Sequence, residues 1–346
     1  MLRRLAVPLL TLLVAPLALA QDKPAPSGDA PAAAPGDKPA TPPGNKSLVF
    51  GLQRTVSNTR AQDEAAAVEG YLTQALGQPV KTKIFPNYDA LSDALAKGEV
   101  DIAWVNPFPY LKATQTSPEI RPIAKVLRNG ASYRAVIYVR ADSKAKTLAD
   151  LKGTRAAWVD KDSSSGYLYP RAMFVKSGAT LNGWFSDEKF YESHSMVCQA
   201  VLAGTADFGA TLLTGAEDNT LRVDGCITAM GDAAKGKFTP LVASDPIPNE
   251  VIAVRAGFDA DLGEKLGSVF GQMSMTDSGV KVLKDVFQAD GFGEALETDF
   301  DSVRDVAKGL GLLGGTALKP PGADTKAAPK TDKKKKKTAK KAADGQ

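Results

Sequence analysis

The chain is 346 residues long, 43% of its residues are hydrophobic, and its formal net charge is +4. The positive charge comes from the ends of the chain, because the stretch from Lys319 onward carries ten Lys against three Asp. Without that stretch and without Arg3 and Arg4, the remaining residues carry a charge near −5. Nucleic-acid binders carry basic side chains on the folded domain, so the acidic core argues against that class.

The first twenty residues have the pattern of a secretory signal. Arg3 and Arg4 precede a short apolar stretch, Leu5–Leu19, and Ala18-Leu19-Ala20 forms a small-x-small cleavage site. The apolar stretch is too short to span a bilayer, and no cysteine follows the cleavage site to carry a lipid. We therefore predict a signal peptide over residues 1–20 and a soluble periplasmic protein.

Two segments flank the part of the chain that is expected to fold. Residues 21–46 are rich in Pro and Ala, and residues 314–346 end in a lysine tract. Neither holds enough large apolar side chains to offset the entropy of ordering, so both are predicted to be disordered. The lysine tract is expected to touch anionic envelope surface only weakly. The remaining segment of about 270 residues favours two domains or one large domain.

Cysteine and histidine are scarce. Cys198 and Cys226 could pair in an oxidising compartment, but the pattern leaves the pairing open, since free buried cysteine is common in helices. His194 is the only histidine, and no Cys/His cluster has metal-ligand spacing. No metal and no cofactor are expected.

Apolar periodicity in the central segment alternates between strand and helix. The predicted strands are Ser47–Leu52, Val80–Phe85, Val100–Val105, Ile123–Leu127, Tyr133–Arg140 and Arg155–Val159, and the predicted helices include Ala61–Leu76, Tyr88–Lys97 and Ala172–Lys176. This alternation predicts an α/β fold with parallel sheets covered on both faces. The segments 94–103 and 200–209 share one pattern of helix, capping Gly, Asp and buried strand, which favours two similar halves.

We therefore predict a two-lobed fold with two mixed, mostly parallel sheets. Lobe one would comprise residues 47–135 plus 248–313, and lobe two residues 138–245. Tyr133–Arg140 and Ser244–Arg255 would carry the chain between the lobes as a two-strand hinge, on which the lobes close around a ligand.

The strongest chemical signal is the serine run Ser163, Ser164 and Ser165, followed by Gly166. The run lies between a buried strand and a helix, where hydroxyl groups, unpaired backbone N–H groups and the positive helix end together favour an oxyanion. Gly166 would let the backbone approach the ligand closely. The alternative is that one serine merely caps the helix.

Two further candidates lie at element ends. Asn106 and Tyr110 follow the strand that ends at Val105, where α/β sheets bind ligands, although this stretch could be only a proline-stiffened turn. His194 begins a helix, where it could donate to an anion or have a structural role.

These residues resemble a known family. Asp160–Arg171 (DKDSSSGYLYPR), Ser193-His194 and Ile247-Pro248-Asn249 are similar, in this order, to the PhnD-like substrate-binding proteins of phosphate, phosphite and phosphonate ABC transporters. The resemblance implies a type II periplasmic-binding-protein fold with the ligand between the lobes. It assigns phosphorus oxygens to Ser163–Ser165, and further ligand contacts to His194 and to the segment Asn106–Tyr110.

One departure from the family bears on the ligand. Aminophosphonate binders of this family hold the ammonium group with carboxylates, whereas this chain reads Thr211-Leu212-Leu213-Thr214 after the strand over 206–210. Glu217 and Asp218 come only a turn later. The expected ligand is therefore phosphite, phosphate or a simple alkylphosphonate.

The expected function is capture of a phosphorus oxyanion for an ABC importer by a monomeric, non-enzymatic protein, with the transporter permease as partner. The alternative is the same fold used as a ligand-sensing domain or as a scavenger of another small anion. A serine hydrolase is disfavoured, because neither a G-x-S-x-G elbow nor an S-x-x-K motif accompanies the serines.

Overall fold

The computed structural model describes residues 46–54, 59–215 and 220–314. The predicted signal peptide, nearly all of the linker over 21–46 and all but the first residue of the C-terminal tail lie outside these ranges. The strands are β1 (Leu48–Gln53), β2 (Val80–Phe85), β3 (Ile102–Val105), β4 (Arg121–Leu127), β5 (Ser132–Arg140), β6 (Arg155–Trp158), β7 (Asp187–Phe190), β8 (Phe208–Leu213), β9 (Phe238–Ala243), β10 (Ile247–Pro248), β11 (Val251–Val254) and β12 (Gly291–Glu294). The α-helices are α1 (Ala61–Leu76), α2 (Tyr88–Ala96), α3 (Pro107–Thr116), α4 (Tyr169–Lys176), α5 (His194–Leu202), α6 (Asp224–Met230), α7 (Ala260–Gly271), α8 (Asp277–Val282) and α9 (Asp301–Gly309).

The strands form two separate six-stranded sheets, which confirms the two-lobed α/β fold. The first sheet, in the order β12-β4-β11-β3-β1-β2, defines lobe one together with its helices. The second, in the order β10-β5-β8-β6-β7 with β9 also paired to β5, defines lobe two. Apolar side chains are buried on both faces of each sheet, as the near-continuous hydrophobic strands require.

The expectation of mostly parallel pairing is wrong. Among the described residues, β1 is parallel to β2 and β3, and β6 is parallel to β7 and β8, but the other six pairings are antiparallel. A strand that enters a sheet from the other lobe or through a tight connection needs no helical crossover, so it is free to run antiparallel. The alternation of helices and strands in the sequence does not distinguish these connections.

The internal repeat seen in the sequence has a structural counterpart. In lobe one, Asp101 accepts a hydrogen bond from the backbone N–H of Val49 at 2.8 Å, and in lobe two Asp207 accepts one from Arg155 at the same distance. Each Asp follows a glycine of positive φ that closes a helix. Its carboxylate links the turn before one strand, β3 or β8, to the backbone of the parallel strand beside it, β1 or β6. The two lobes therefore place their strand ends in the same way.

Two short segments cross between the lobes, at residues 128–131 and 249–250. They lie side by side, since Asn249 donates a side-chain hydrogen bond to the carbonyl of Gly130 at 3.0 Å and its backbone N–H to that of Ala131 at 3.3 Å. β5, which was expected to run between the lobes, pairs with β8, β9 and β10 and lies within the second sheet.

A disulfide joins Cys198 on α5 to Cys226 on α6, with the Cα atoms 5.6 Å apart, and answers the question that the sequence left open. Within the described ranges, no helix is both long enough and apolar enough to cross a membrane.

Candidate ligand-binding site

A cavity of about 180 Å³ lies between the two lobes. It opens at the carboxyl ends of β1, β3, β6 and β8, the place where open α/β sheets bind ligands. Its walls are formed by Gln53, Arg54, Tyr88, Trp104, Asn106, Arg128, Tyr133, Ser163, Ser165, His194, Leu212, Thr214 and Glu250.

The serine run forms part of the lobe-two wall. Ser163 caps the following turn, because its Oγ accepts a hydrogen bond from the N–H of Gly166 at 3.1 Å. The turn over Ser164–Leu168 is widened to π-helical spacing, with the N–H of Leu168 bonded to the carbonyl of Ser163 at 3.0 Å, and it leads into α4. Such widened turns are frequent at functional sites, and the first N–H groups of a helix have no partner within it.

The members of the run have different surroundings. Ser163 and Ser165 line the cavity, whereas the Oγ of Ser164 is buried and has no hydrogen-bond partner among the described residues. A Cβ on Gly166 would lie 2.4 Å from Cγ2 of Val159. Gly166 therefore permits close packing of the turn against Val159, just after β6, and it is not among the residues that line the cavity.

His194 lines the same wall at the start of α5. Ser193 caps this helix by accepting a hydrogen bond from the N–H of Met196 at 3.3 Å, and Nδ1 of His194 lies 2.9 Å from Oγ1 of Thr211. Desolvation lowers the pKa of His194 to about 4, so the ring is neutral at pH 7. A neutral imidazole keeps one N–H donor and one acceptor.

Asn106 and Tyr110 are separated by the structure. Asn106 lines the cavity, but Tyr110 is fully buried in lobe one, where its ring packs 4.8 Å from that of Phe300 and its hydroxyl bonds to Glu297. The expected turn is in fact the start of α3, because proline fits the first positions of a helix, where the missing N–H would have had no partner. The helical course turns Tyr110 into the core instead of toward the ligand.

Two tyrosines that sequence reasoning missed also line the cavity, Tyr88 at the start of α2 in lobe one and Tyr133 in β5 of lobe two. Burial, with the negative charge of Glu250 adding to it, raises the pKa of both phenols, so both remain neutral hydrogen-bond donors. Hydrogen bonds with Asn106 for Tyr88 and with Ser165 for Tyr133 act in the opposite direction on these pKa values. A single aromatic residue at the start of a helix or strand carries no sequence signal that separates a ligand contact from a core residue.

The cavity also contains an acid that the sequence analysis overlooked. The end of β8 and the residue that follows it supply Leu212 and Thr214 to the wall, and neither is a carboxylate. Glu217 and Asp218 lie outside the described residues. However, Glu250, at the end of a segment that crosses between the lobes, lines the cavity and pairs with Arg128 at 3.1 Å.

A cluster of four charged side chains joins the lobes beside the serine run. Lys112 of lobe one bonds to Asp89 of its own lobe and to Asp162 of lobe two, the latter at 3.0 Å, and Lys161 of lobe two bonds to Asp89. Desolvation and then the hydrogen bond with Asp89 raise the pKa of Asp162 to about 6. Desolvation of Asp89 is outweighed by hydrogen bonds from Asp162, Lys112 and Lys161, which hold its pKa below the ordinary value.

Comparison with known proteins identifies the family. The sequence profile described as "ABC transporter, phosphonate, periplasmic substrate-binding protein" matches residues 50–300. The phosphate-import protein PhnD of Mycolicibacterium smegmatis is 27% identical over 233 residues, which cover 64% of this chain and 68% of that protein.

Solved structures agree on the fold. PhnD1 of Prochlorococcus marinus, in complex with methylphosphonate, superposes with a TM-score of 0.67 at 18% identity and covers 78% of this chain and 99% of its own. A binding component of an ABC phosphonate transporter from Pseudomonas aeruginosa gives a TM-score of 0.64 at 20% identity, over 76% and 86% of the two chains. Members of the matched family are extracytoplasmic transport proteins that bind their ligands without being enzymes. This chain therefore belongs to the periplasmic substrate-binding proteins of phosphonate ABC transporters.

Proposed function

We propose that this protein captures a small phosphorus oxyanion with an uncharged substituent, such as phosphite, phosphate or methylphosphonate, and delivers it to an ABC permease. The observation that carries the proposal is the composition of the cavity, in which Ser163, Ser165, Tyr88 and Tyr133 present neutral hydroxyl groups next to a helix start. Neutral donors replace the hydration of an anion through several short charge-assisted hydrogen bonds.

The order of the binding steps follows from the positions of these groups. The anion docks first on the serine turn and His194 in lobe two, which follow strands of one sheet and keep their geometry when the hinge opens. Tyr88 and Asn106 of lobe one then close over it. Since the permease must distinguish loaded from empty protein, the ligand must favour the closed state over the open state.

A protonated ligand oxygen also needs an acceptor. His194 supplies one if the hydroxyl of Thr211 accepts the Nδ1 proton, and supplies a second donor to the anion if that hydroxyl donates to Nδ1 instead. Either arrangement keeps the ring neutral, so the site does not depend on a histidine cation.

The segment over residues 1–20 is proposed to export the protein to the periplasm, where it acts as a monomer. Mass spectrometry of the mature N-terminus tests the cleavage site, since an uncut N-terminus would contradict export by this signal.

The decisive experiment is calorimetry of the purified mature protein against phosphite, methylphosphonate, phosphate, 2-aminoethylphosphonate and sulfate. At least one of the first three should bind more tightly than a dissociation constant of about 1 mM, or roughly −4 kcal/mol. If none does, the proposed function is wrong. Turnover of activated esters that is lost in His194→Ala would instead favour the hydrolase.

A further inference from the structure

The charged side chains around the cavity are arranged in pairs. A second cavity of about 330 Å³ continues outward from the first, and the two share Arg54, Arg128 and Glu250 in their walls. Arg54 pairs with Glu64, which lines the outer cavity, and Arg128 pairs with Glu250. A substituent that extends from a bound phosphorus group into the outer cavity therefore meets two cations and two anions.

Arg128 is fixed by its surroundings. Its Nε donates to the carbonyl of Gln288 at 2.8 Å and its Nη2 to that of Phe287 at 2.8 Å. The remaining nitrogen, Nη1, lies 3.1 and 3.4 Å from the two carboxylate oxygens of Glu250. Two backbone carbonyls thus hold the guanidinium group in place against the carboxylate.

The position of Glu250 is fixed as well. Its backbone carbonyl accepts a hydrogen bond from the N–H of Val126 in β4 at 2.9 Å, and its side chain is 21% exposed. An unpaired carboxylate here would repel a phosphorus oxyanion and attract an ammonium group, because both effects follow from its negative charge in a partly desolvated cavity. Pairing with Arg128 cancels both effects at once.

We propose that Arg128 sets the substrate class of this site by neutralising Glu250, so that the protein takes phosphonates with uncharged substituents and rejects those that carry an ammonium group. The inference rests on the proposed function and adds a specificity-determining residue to it. Arg128 acts through Glu250 and is a positioning residue rather than the main ligand of the phosphorus group.

The test measures the ratio of the affinities for 2-aminoethylphosphonate and methylphosphonate by calorimetry on the mature protein. In Arg128→Met, the freed carboxylate should weaken methylphosphonate binding and should raise the ratio in favour of the amino compound by about tenfold or more. In the double variant Arg128→Met/Glu250→Gln, the ratio should return to that of the wild type. A ratio that is unchanged in Arg128→Met, or that stays raised in the double variant, overturns the proposal.

Controls separate specificity from stability. Arg121→Met removes an arginine of lobe one that also donates to backbone carbonyls, those of Phe258 and Asp259, but lies outside both cavities, so it should leave the ratio unchanged. If Arg128→Met does not fold, Glu250→Gln still decides: Arg128 then has no anionic partner, and phosphonoacetate should gain about tenfold over methylphosphonate. No gain overturns the proposal.

A wild-type protein that binds methylphosphonate but also binds the amino compound equally well contradicts the specificity alone, whereas binding of no phosphorus oxyanion contradicts the proposed function itself.

Discussion

The two walls of the cleft are built in different ways. The lobe-two wall takes Ser163, Ser165 and His194 from the starts of two helices, each with a serine cap and a recognisable local pattern. The lobe-one wall is assembled from single side chains at the ends of separate elements, such as Tyr88, Asn106 and Arg128. An anion site at a helix start is local in sequence, whereas a wall formed by convergence exists only after folding.

The largest expected effect is on the lobe-two wall. Ser165→Ala should weaken binding of the preferred oxyanion by about 10- to 100-fold, because a hydrogen bond to a charged group contributes roughly 1.5–3 kcal/mol. Ser164→Ala is the matched control, since its Oγ does not line the cavity, and it should have a clearly smaller effect. Equal losses in calorimetry would mean that the whole run binds the ligand.

His194 and its hydrogen-bond partner Thr211 both lie in lobe two, so the protonation of His194 tests this lobe alone. Its folded-state pKa is lowered to about 4 by desolvation, so its contribution to stability is present above pH 6.5 and is lost as the pH falls toward 4. Relative to His194→Gln, the wild type should lose about 2 kcal/mol of unfolding free energy between pH 7 and pH 4.5 in urea titrations. A pH-independent difference would show that the ring is hydrated in the folded protein.

Asp162 has the opposite effect on the pH dependence of stability, and its protonation involves residues of both lobes, because it pairs with Lys112 of lobe one. Its pKa is raised to about 6, so its contribution is greatest at low pH and declines as the pH rises through 6. Relative to Asp162→Asn, the wild type should lose about 1–2 kcal/mol between pH 5 and pH 7.5. Asp89→Asn should reduce the pH dependence that Asp162 causes and should leave the pH dependence caused by His194 unchanged. If the Asp162 contribution is unchanged in Asp89→Asn, desolvation alone raises the pKa of Asp162.

The smallest expected effect is on the lobe-one wall. Tyr88→Phe removes one neutral donor among several and should weaken binding about three- to tenfold, or roughly 1 kcal/mol. Tyr110→Phe, which alters a tyrosine of the same lobe that lies outside the cavity, should change stability but not affinity. A loss for Tyr88→Phe that exceeds that for Ser165→Ala would reverse the ranking of the two walls.

The sequence alone predicted the two-lobed α/β architecture, and four of its candidate site residues, Ser163, Ser165, His194 and Asn106, line the cavity. The bounds of α1 and β2 follow from apolar periodicity and from Gly77, whose φ of +70° ends the helix. The direction of β11 could not be predicted, because it depends on where the chain returns from the other lobe. Glu250 was missed for the same reason, since its place in the cavity results from two distant crossing segments that lie side by side.

The disulfide ties α5, with His194 at its first position, to α6, which packs under Thr211. It joins residues 28 positions apart, so it removes about 3–4 kcal/mol of chain entropy from the unfolded state. Disulfides of this kind form in oxidising compartments and not in the cytoplasm. Under the proposed function, the lobe-two wall is therefore complete only after export, where the oxidised Cys198–Cys226 bond secures the helix that carries His194.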